Sequence, residues 1–140
     1  MKQIQGGVTA AKGFEAAGAE AQIKYKNRMD MALVYSKVPC VSAGTFTSNV
    51  VKAAPVLWDK NIVDTKETAQ AVVVNSGIAN ACTGKQGMDI CKKEAECAGR
   101  LLGIPADAVL VASTGVIGMQ IPEDIICAGI EKLAAAKTDT

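Results

Sequence analysis

The sequence predicts a layered α/β domain. Two Val-rich runs, residues 70–75 and 108–112, read as buried strands, and an apolar stripe with helical spacing follows each. The runs are nearly continuous in apolar residues, which predicts strands covered on both faces. At 140 residues and 49% hydrophobic content, the chain suits a single domain over 1–140 with a sizeable core.

Taken in order, the amino-terminal third is punctuated by Gly6, Gly7, Gly13, Gly18 and Gly44, and turns should be frequent there. Residues 31–35 (Met-Ala-Leu-Val-Tyr) read as a strand ended by Pro39, and 41–46 as another. The polar stretch 59–68 reads as a surface connection. The strand at 70–75 ends at Ser76-Gly77. A helix should run from about Gln86 to Leu102, with Met88, Cys91, Ala95, Ala98 and Leu102 on one stripe, stopped by Gly103 and Pro105. After the strand at 108–112, a last helix starts at Pro122, with Glu123 and Asp124 favouring its dipole and Ile126, Ile130 and Leu133 facing inward.

Composition excludes several classes of function. Fifteen Lys and Arg stand against fourteen Asp and Glu, for a net charge of +1. That lacks the basic footprint of phosphate-backbone binding, and five aromatic residues are few for stacking bases, so no nucleic-acid partner is expected. No run approaches the ~18 apolar residues of a membrane helix, and the start lacks the apolar core of a signal peptide. The expectation is a soluble, cytoplasmic protein. There is no histidine, so neither a Ser-His-Asp triad nor an imidazole metal ligand can form. Cys40, Cys82, Cys91, Cys97 and Cys127 show no metal-ligand or redox spacing. Each reads as a reduced, buried, structural thiol, and no metal site is expected.

Two loops could carry chemistry. Residues 75–84, Asn-Ser-Gly-Ile-Ala-Asn-Ala-Cys-Thr-Gly, place small polar groups directly after a buried strand, where open α/β sheets tend to bind ligands. Gly84-Lys85 looks like part of a phosphate loop, but Gly77 is too far upstream and Gln86 replaces the required hydroxyl. From chemistry alone, a turn with left-handed Asn and Gly residues is the simpler reading. Ser113-Thr114-Gly115-Val116-Ile117-Gly118 also follows a strand. It can offer a hydroxyl from Thr114 and an unobstructed N–H from Gly115, two donors suited to a developing oxyanion. Without further information it too reads as an ordinary turn.

The motifs Val74-Asn75-Ser76-Gly77, Ala79-Asn80-Ala81-Cys82-Thr83-Gly84 and Ala112-Ser113-Thr114-Gly115-Val116-Ile117-Gly118 resemble signatures of the ornithine acetyltransferase family, the bifunctional glutamate N-acetyltransferases of arginine biosynthesis. Gly6-Gly7-Val8-Thr9-Ala10, Gly13-Phe14, Phe46-Thr47-Ser48-Asn49 and Lys52-Ala53-Ala54-Pro55-Val56 are similar to that family as well. The similarity runs in order through almost the whole chain.

The resemblance implies an enzyme that works as two chains cut from one precursor, with this chain as the α portion. A threonine at the amino terminus of the β chain would be the nucleophile and its α-amine the base, so histidine would not be needed. The implied fold is an α/β/β/α sandwich completed by the β chain and assembled as an α2β2 heterotetramer. The implied substrates are N-acetylornithine and glutamate, with no cofactor, and acetyl-CoA serves as a further acetyl donor in some members. On this resemblance Thr114 and Gly115 form the oxyanion hole. Thr138, in Thr138-Asp139-Thr140, contacts the amino-acid substrate, although Lys137 and Ile78 stand where the family commonly has threonine and asparagine. Two other readings stay open: a related amino-terminal-nucleophile aminopeptidase, and a non-catalytic small-ligand-binding domain.

Overall fold

Among the described residues, four strands and three α-helices are arranged so that one face of a single sheet is buried and the other is open. The computed structural model describes residues 3–140. The strands are β1 (Phe14–Ala19), β2 (Met31–Val41), β3 (Thr68–Ile78) and β4 (Val109–Val116), and they lie in that order across the sheet. β1 and β3 are antiparallel to β2, whereas β3 and β4 are parallel. The parallel pair needs a crossover, which α2 (Gly84–Leu102) supplies. The other helices are α1 (Ala54–Thr65) and α3 (Glu123–Ala136).

Alternation along the strands decides which face is covered. On β3, Ala69, Ala71, Val73 and Asn75 are buried, while Gln70, Val72, Val74 and Ser76 between them are only half-buried. Leu33, Val109 and Val111 continue the buried side and pack with Ile126, Ile130 and Leu133 of α3 and the small residues of α2. Each fully buried Leu, Ile or Val stabilises by roughly 1.5–3 kcal/mol, so this layer holds the domain together. Within this chain only one face of the strands is covered. Ala32, Val34, Val72, Val74, Leu110 and Ala112 form an apolar open face, with no element among the described residues lying over it.

Four other expectations change. Residues 59–68 are not a connection: Ala54, Trp58 and Ile62, spaced by four, put one side of α1 against β4 and α2, and Pro55 sits in its first turn. Of the polar residues that suggested a loop, Asn61, Asp64 and Thr65 are on the outer side of that helix, while Asp59 turns in toward β4. Residues 41–46 are not a strand: β2 itself continues to Val41, and 42–49 have no regular structure. Pro39 does not end β2, because the register with β3 shifts between Tyr35 and Cys40, where a missing N–H costs no ladder bond. Pro122 precedes α3 rather than opening it. The end of α2 is as expected, with Gly103 left-handed at φ 70.

Candidate functional site

The two segments that read as turns are in part strand: 75–78 end β3 and 113–116 end β4, and the parallel pairing of those strands brings them together. Asn75 pairs with Ser113, Ser76 with Thr114 and Gly77 with Gly115. Paired residues share a face, so Asn75 and Ser113 point toward the helices while Ser76 and Thr114 stand on the open face. Thr114 is exposed beside a depression of about 350 Å³ that Ala32, Val74 and Ser76 also line.

β4 is an edge strand, and α1 covers only its first half. Trp58 Nε1 donates to the Val109 carbonyl at 3.0 Å, and the Val111 N–H donates to Asp59 Oδ1 at 2.8 Å. Both groups therefore point away from β3. Alternation puts the Gly115 N–H on that same edge, beyond the reach of α1. Its Cα lies hard against β3: a Cβ on Gly115 would sit 2.6 Å from the Ile78 nitrogen and closer still to the Gly77 carbonyl. With φ at +132, only glycine fits.

The segment 75–84 is built as a run of left-handed residues, with φ of 109 at Gly77, 48 at Asn80, 55 at Cys82 and 60 at Gly84. The turn reading holds for 79–83 only, because 75–78 are paired residues of β3 and Gly84 opens α2. Fully buried Asn80 ties it to α2, donating to the Gly87 carbonyl at 2.9 Å and accepting from Thr83 Oγ1 at 2.7 Å. All five cysteines are free. Cys91 and Cys97 are buried as expected, but Cys82 is exposed, which corrects the reading of it as buried; its left-handed backbone turns the side chain outward just before α2.

Thr138 lies elsewhere. It forms an isolated antiparallel bridge with Ala16 on the outer edge of β1, its N–H donating to the Ala16 carbonyl at 3.1 Å. Lys137 and Lys37 hold this margin by pairing with Glu15 at 2.9 and 3.2 Å, and Lys37 also reaches Asp139 at 3.3 Å. Lys137 and then Lys37 keep the Glu15 carboxyl below its usual range. At ~4.8 Å per strand and ~3.3 Å per residue, Thr138 and Thr114 stand on the order of 20 Å apart.

Sequence reasoning passed over two carboxylates. Asp59 lies under the β4 edge; burial lifts its pKa to about 6, partly offset by the Val111 N–H. Glu94 on α2 is 1% exposed, its Oε1 has no partner among the described residues, and burial plus the Asp59 charge lift its pKa to about 8. The neighbouring Cys91 thiol is pushed to about 12, chiefly by burial and then by Glu94 and Asp59. Spacing could have revealed Glu94, because it falls on the stripe of Cys91, Ala95 and Ala98.

Comparison with known proteins fits this geometry. The model of the ArgJ family matches residues 15–140. The chain belongs to the ArgJ family. It is 48% identical over 137 residues to the arginine biosynthesis bifunctional protein ArgJ of Gloeobacter violaceus, covering 98% of this chain and 34% of that protein. To the protein of the same description from Symbiobacterium thermophilum it is 51% identical over 138 residues, covering 97% and 34%. The crystal structure of an ArgJ protein from Bacillus halodurans superposes with a TM-score of 0.90 at 41% identity, covering 96% of this chain and 69% of that one. Ornithine acetyltransferase from Mycobacterium tuberculosis, solved in complex with ornithine, gives 0.91 at 41% identity, covering 96% and 72%. The fold is thus the α/β fold of ArgJ proteins, and the chain spans about a third of the length of the relatives it matches.

Proposed function

We propose that this chain supplies the oxyanion hole of a glutamate N-acetyltransferase in arginine biosynthesis and works with a β chain cut from the same precursor. The observation that carries the reading is the packing of Gly115 against the Gly77–Ile78 peptide, next in sequence to the exposed Thr114; strand alternation from Val111 directs its N–H to the edge that α1 leaves uncovered. The β-chain threonine attacks the acetyl carbonyl of N-acetylornithine, with its own α-amine taking the hydroxyl proton. Thr114 and Gly115 bind the oxygen of the tetrahedral intermediate, ornithine leaves, and an acetyl-enzyme remains. Glutamate's amine then attacks through a second oxyanion in the same hole. Acetyl-CoA enters as an alternative acetyl donor, and no cofactor takes part.

The absence of histidine supports a base supplied from outside this chain. The apolar open face supports a second β/α layer contributed by the β chain, giving the α/β/β/α sandwich and an α2β2 assembly. The proposed setting is the cytoplasm; no helix among the described residues is long and apolar enough to cross a membrane. The substrate contact expected of Thr138 is not part of this reading, because Thr138 lies at the far margin of the sheet, on the order of 20 Å from Thr114, too far to touch an amino acid reacting in the hole. Thr138→Ala should therefore leave both KM and kcat unchanged.

The deciding experiment is Thr114→Ala in the full-length, fully cleaved protein, with N-acetylornithine and glutamate as substrates. Loss of one oxyanion donor should lower kcat by roughly 10²–10³ with a much smaller change in KM. Thr114→Ser should keep much of the rate. A parental kcat in the alanine variant overturns the assignment. Turnover of peptide amides in place of acetyl transfer would move the enzyme to the aminopeptidase reading.

A further inference from the structure

We infer that Asn75 is a positioning residue for this oxyanion hole: its side-chain amide clamps the end of β3, on which Gly115 rests. The inference depends on the function proposed above. Along the helix-facing side of β3 the row reads Ala69, Ala71, Val73, Asn75, and Asn75 is 1% exposed. A valine there would complete an apolar row, so an amide needs a hydrogen bond to justify its burial.

That bond goes to the strand end rather than to the helices. Asn75 Nδ2 donates to the Ile78 carbonyl at 3.0 Å, spanning Ser76 and Gly77. Asn75 Oδ1 is buried without a partner among the described residues, as is the Oγ of its register neighbour Ser113. The clamp therefore fixes the backbone through Gly77, where φ is +109.

The peptide between Gly77 and Ile78 is the surface against which Gly115 is pressed, with no room even for a Cβ. The Ile78 carbonyl that Asn75 holds belongs to the next peptide, Ile78–Ala79, and the N–H of that same peptide donates to the Val116 carbonyl at 2.9 Å. Gly115 thus has two restraints, and the aim of its N–H follows the Gly77–Ile78 peptide. Without the Asn75 donor the Ile78–Ala79 peptide keeps only its bond to Val116 and can tilt, which moves the adjoining Ile78 nitrogen against Gly115, and the hole loses its geometry while the substrate-binding surface remains.

The test uses the full-length, fully cleaved protein and compares Asn75→Ala and Asn75→Asp with Thr114→Ala and Val73→Ala. Both Asn75 variants should lose about 10- to 100-fold in kcat with KM nearly constant, as expected when a group is misplaced rather than removed. The buried aspartate can donate again once protonated. Relative to the parent, Asn75→Asp should therefore recover as pH falls, and Asn75→Ala should not. Val73, equally buried on the same side of β3, makes no contact with the hole, so its truncation should lower stability and leave kcat unchanged. Parental kcat in both Asn75 variants while Thr114→Ala is slow overturns this inference and leaves the hole standing. Parental kcat in Thr114→Ala overturns the hole itself. Equal losses of kcat in Val73→Ala and Asn75→Ala at equal thermal stability would reduce Asn75 to packing.

Discussion

Replacing Glu94 with glutamine should make the protein more stable at alkaline pH and change little at acid pH. In the unfolded chain this carboxyl ionises near its ordinary 4.5, whereas in the fold it keeps its proton up to about 8. Folding therefore takes up a proton between those values. Its stability contribution is complete below the unfolded pKa, declines as pH rises through the window, and levels off once the folded carboxyl is ionised. The gap between 4.5 and about 8 corresponds to on the order of 3–5 kcal/mol at ~1.4 kcal/mol per pH unit. Cys91 stays a neutral thiol throughout, since its own pKa is about 12. Glutamine has similar volume and no charge. The assay is thermal unfolding of the full-length parent and Glu94→Gln at intervals from pH 5 to pH 8.5. The variant should match the parent at the acid end and exceed its Tm by several degrees at the alkaline end. Asp59→Asn should move the window downward, because the Asp59 charge is the second cause of the Glu94 shift. A Tm difference that stays constant with pH would refute the reasoning.

The remaining expectations follow from the same geometry. Gly115→Ala should abolish activity and lower Tm, since its Cβ would meet the Gly77–Ile78 peptide and its φ of +132 is closed to alanine; near-normal kcat would contradict the close approach of β3 and β4. Cys82→Ala should leave kcat unchanged, because the exposed thiol has no base in this chain; loss of turnover in folded protein would make it a nucleophile after all. Trp58→Phe should cost about 1 kcal/mol in denaturant unfolding by removing the 3.0 Å bond to the Val109 carbonyl. The isolated 140-residue chain should bind a hydrophobic dye and show no acetyl transfer, because its open sheet face is uncovered and its proposed nucleophile lies on the β chain; turnover by that chain alone would refute the division of labour.

Local pattern was enough to determine the centre of the fold. β3, α2, β4 and α3 are each encoded by a run or a stripe in adjacent residues, and Gly103 ends α2 by a backbone preference of its own. Motif resemblance, not pattern, singled out Thr114 and Gly115. Other features depended on residues distant in the chain. α1 was hidden because an amphipathic helix of Ala54, Trp58 and Ile62 looks polar until β4 and α2 supply the surface it covers. β1 carries alanines and glycine rather than a hydrophobic run, and it is a strand because β2 pairs with it. Pro39 lies within a strand because a register shift removes the bond it cannot make. Glu94 and Asp59 acquired raised pKa values only when α1 and α2 buried them near one another. The need for glycine at position 115 likewise cannot be read from its neighbours in sequence. It comes from Gly77, 38 residues earlier, whose backbone occupies the space a side chain would need.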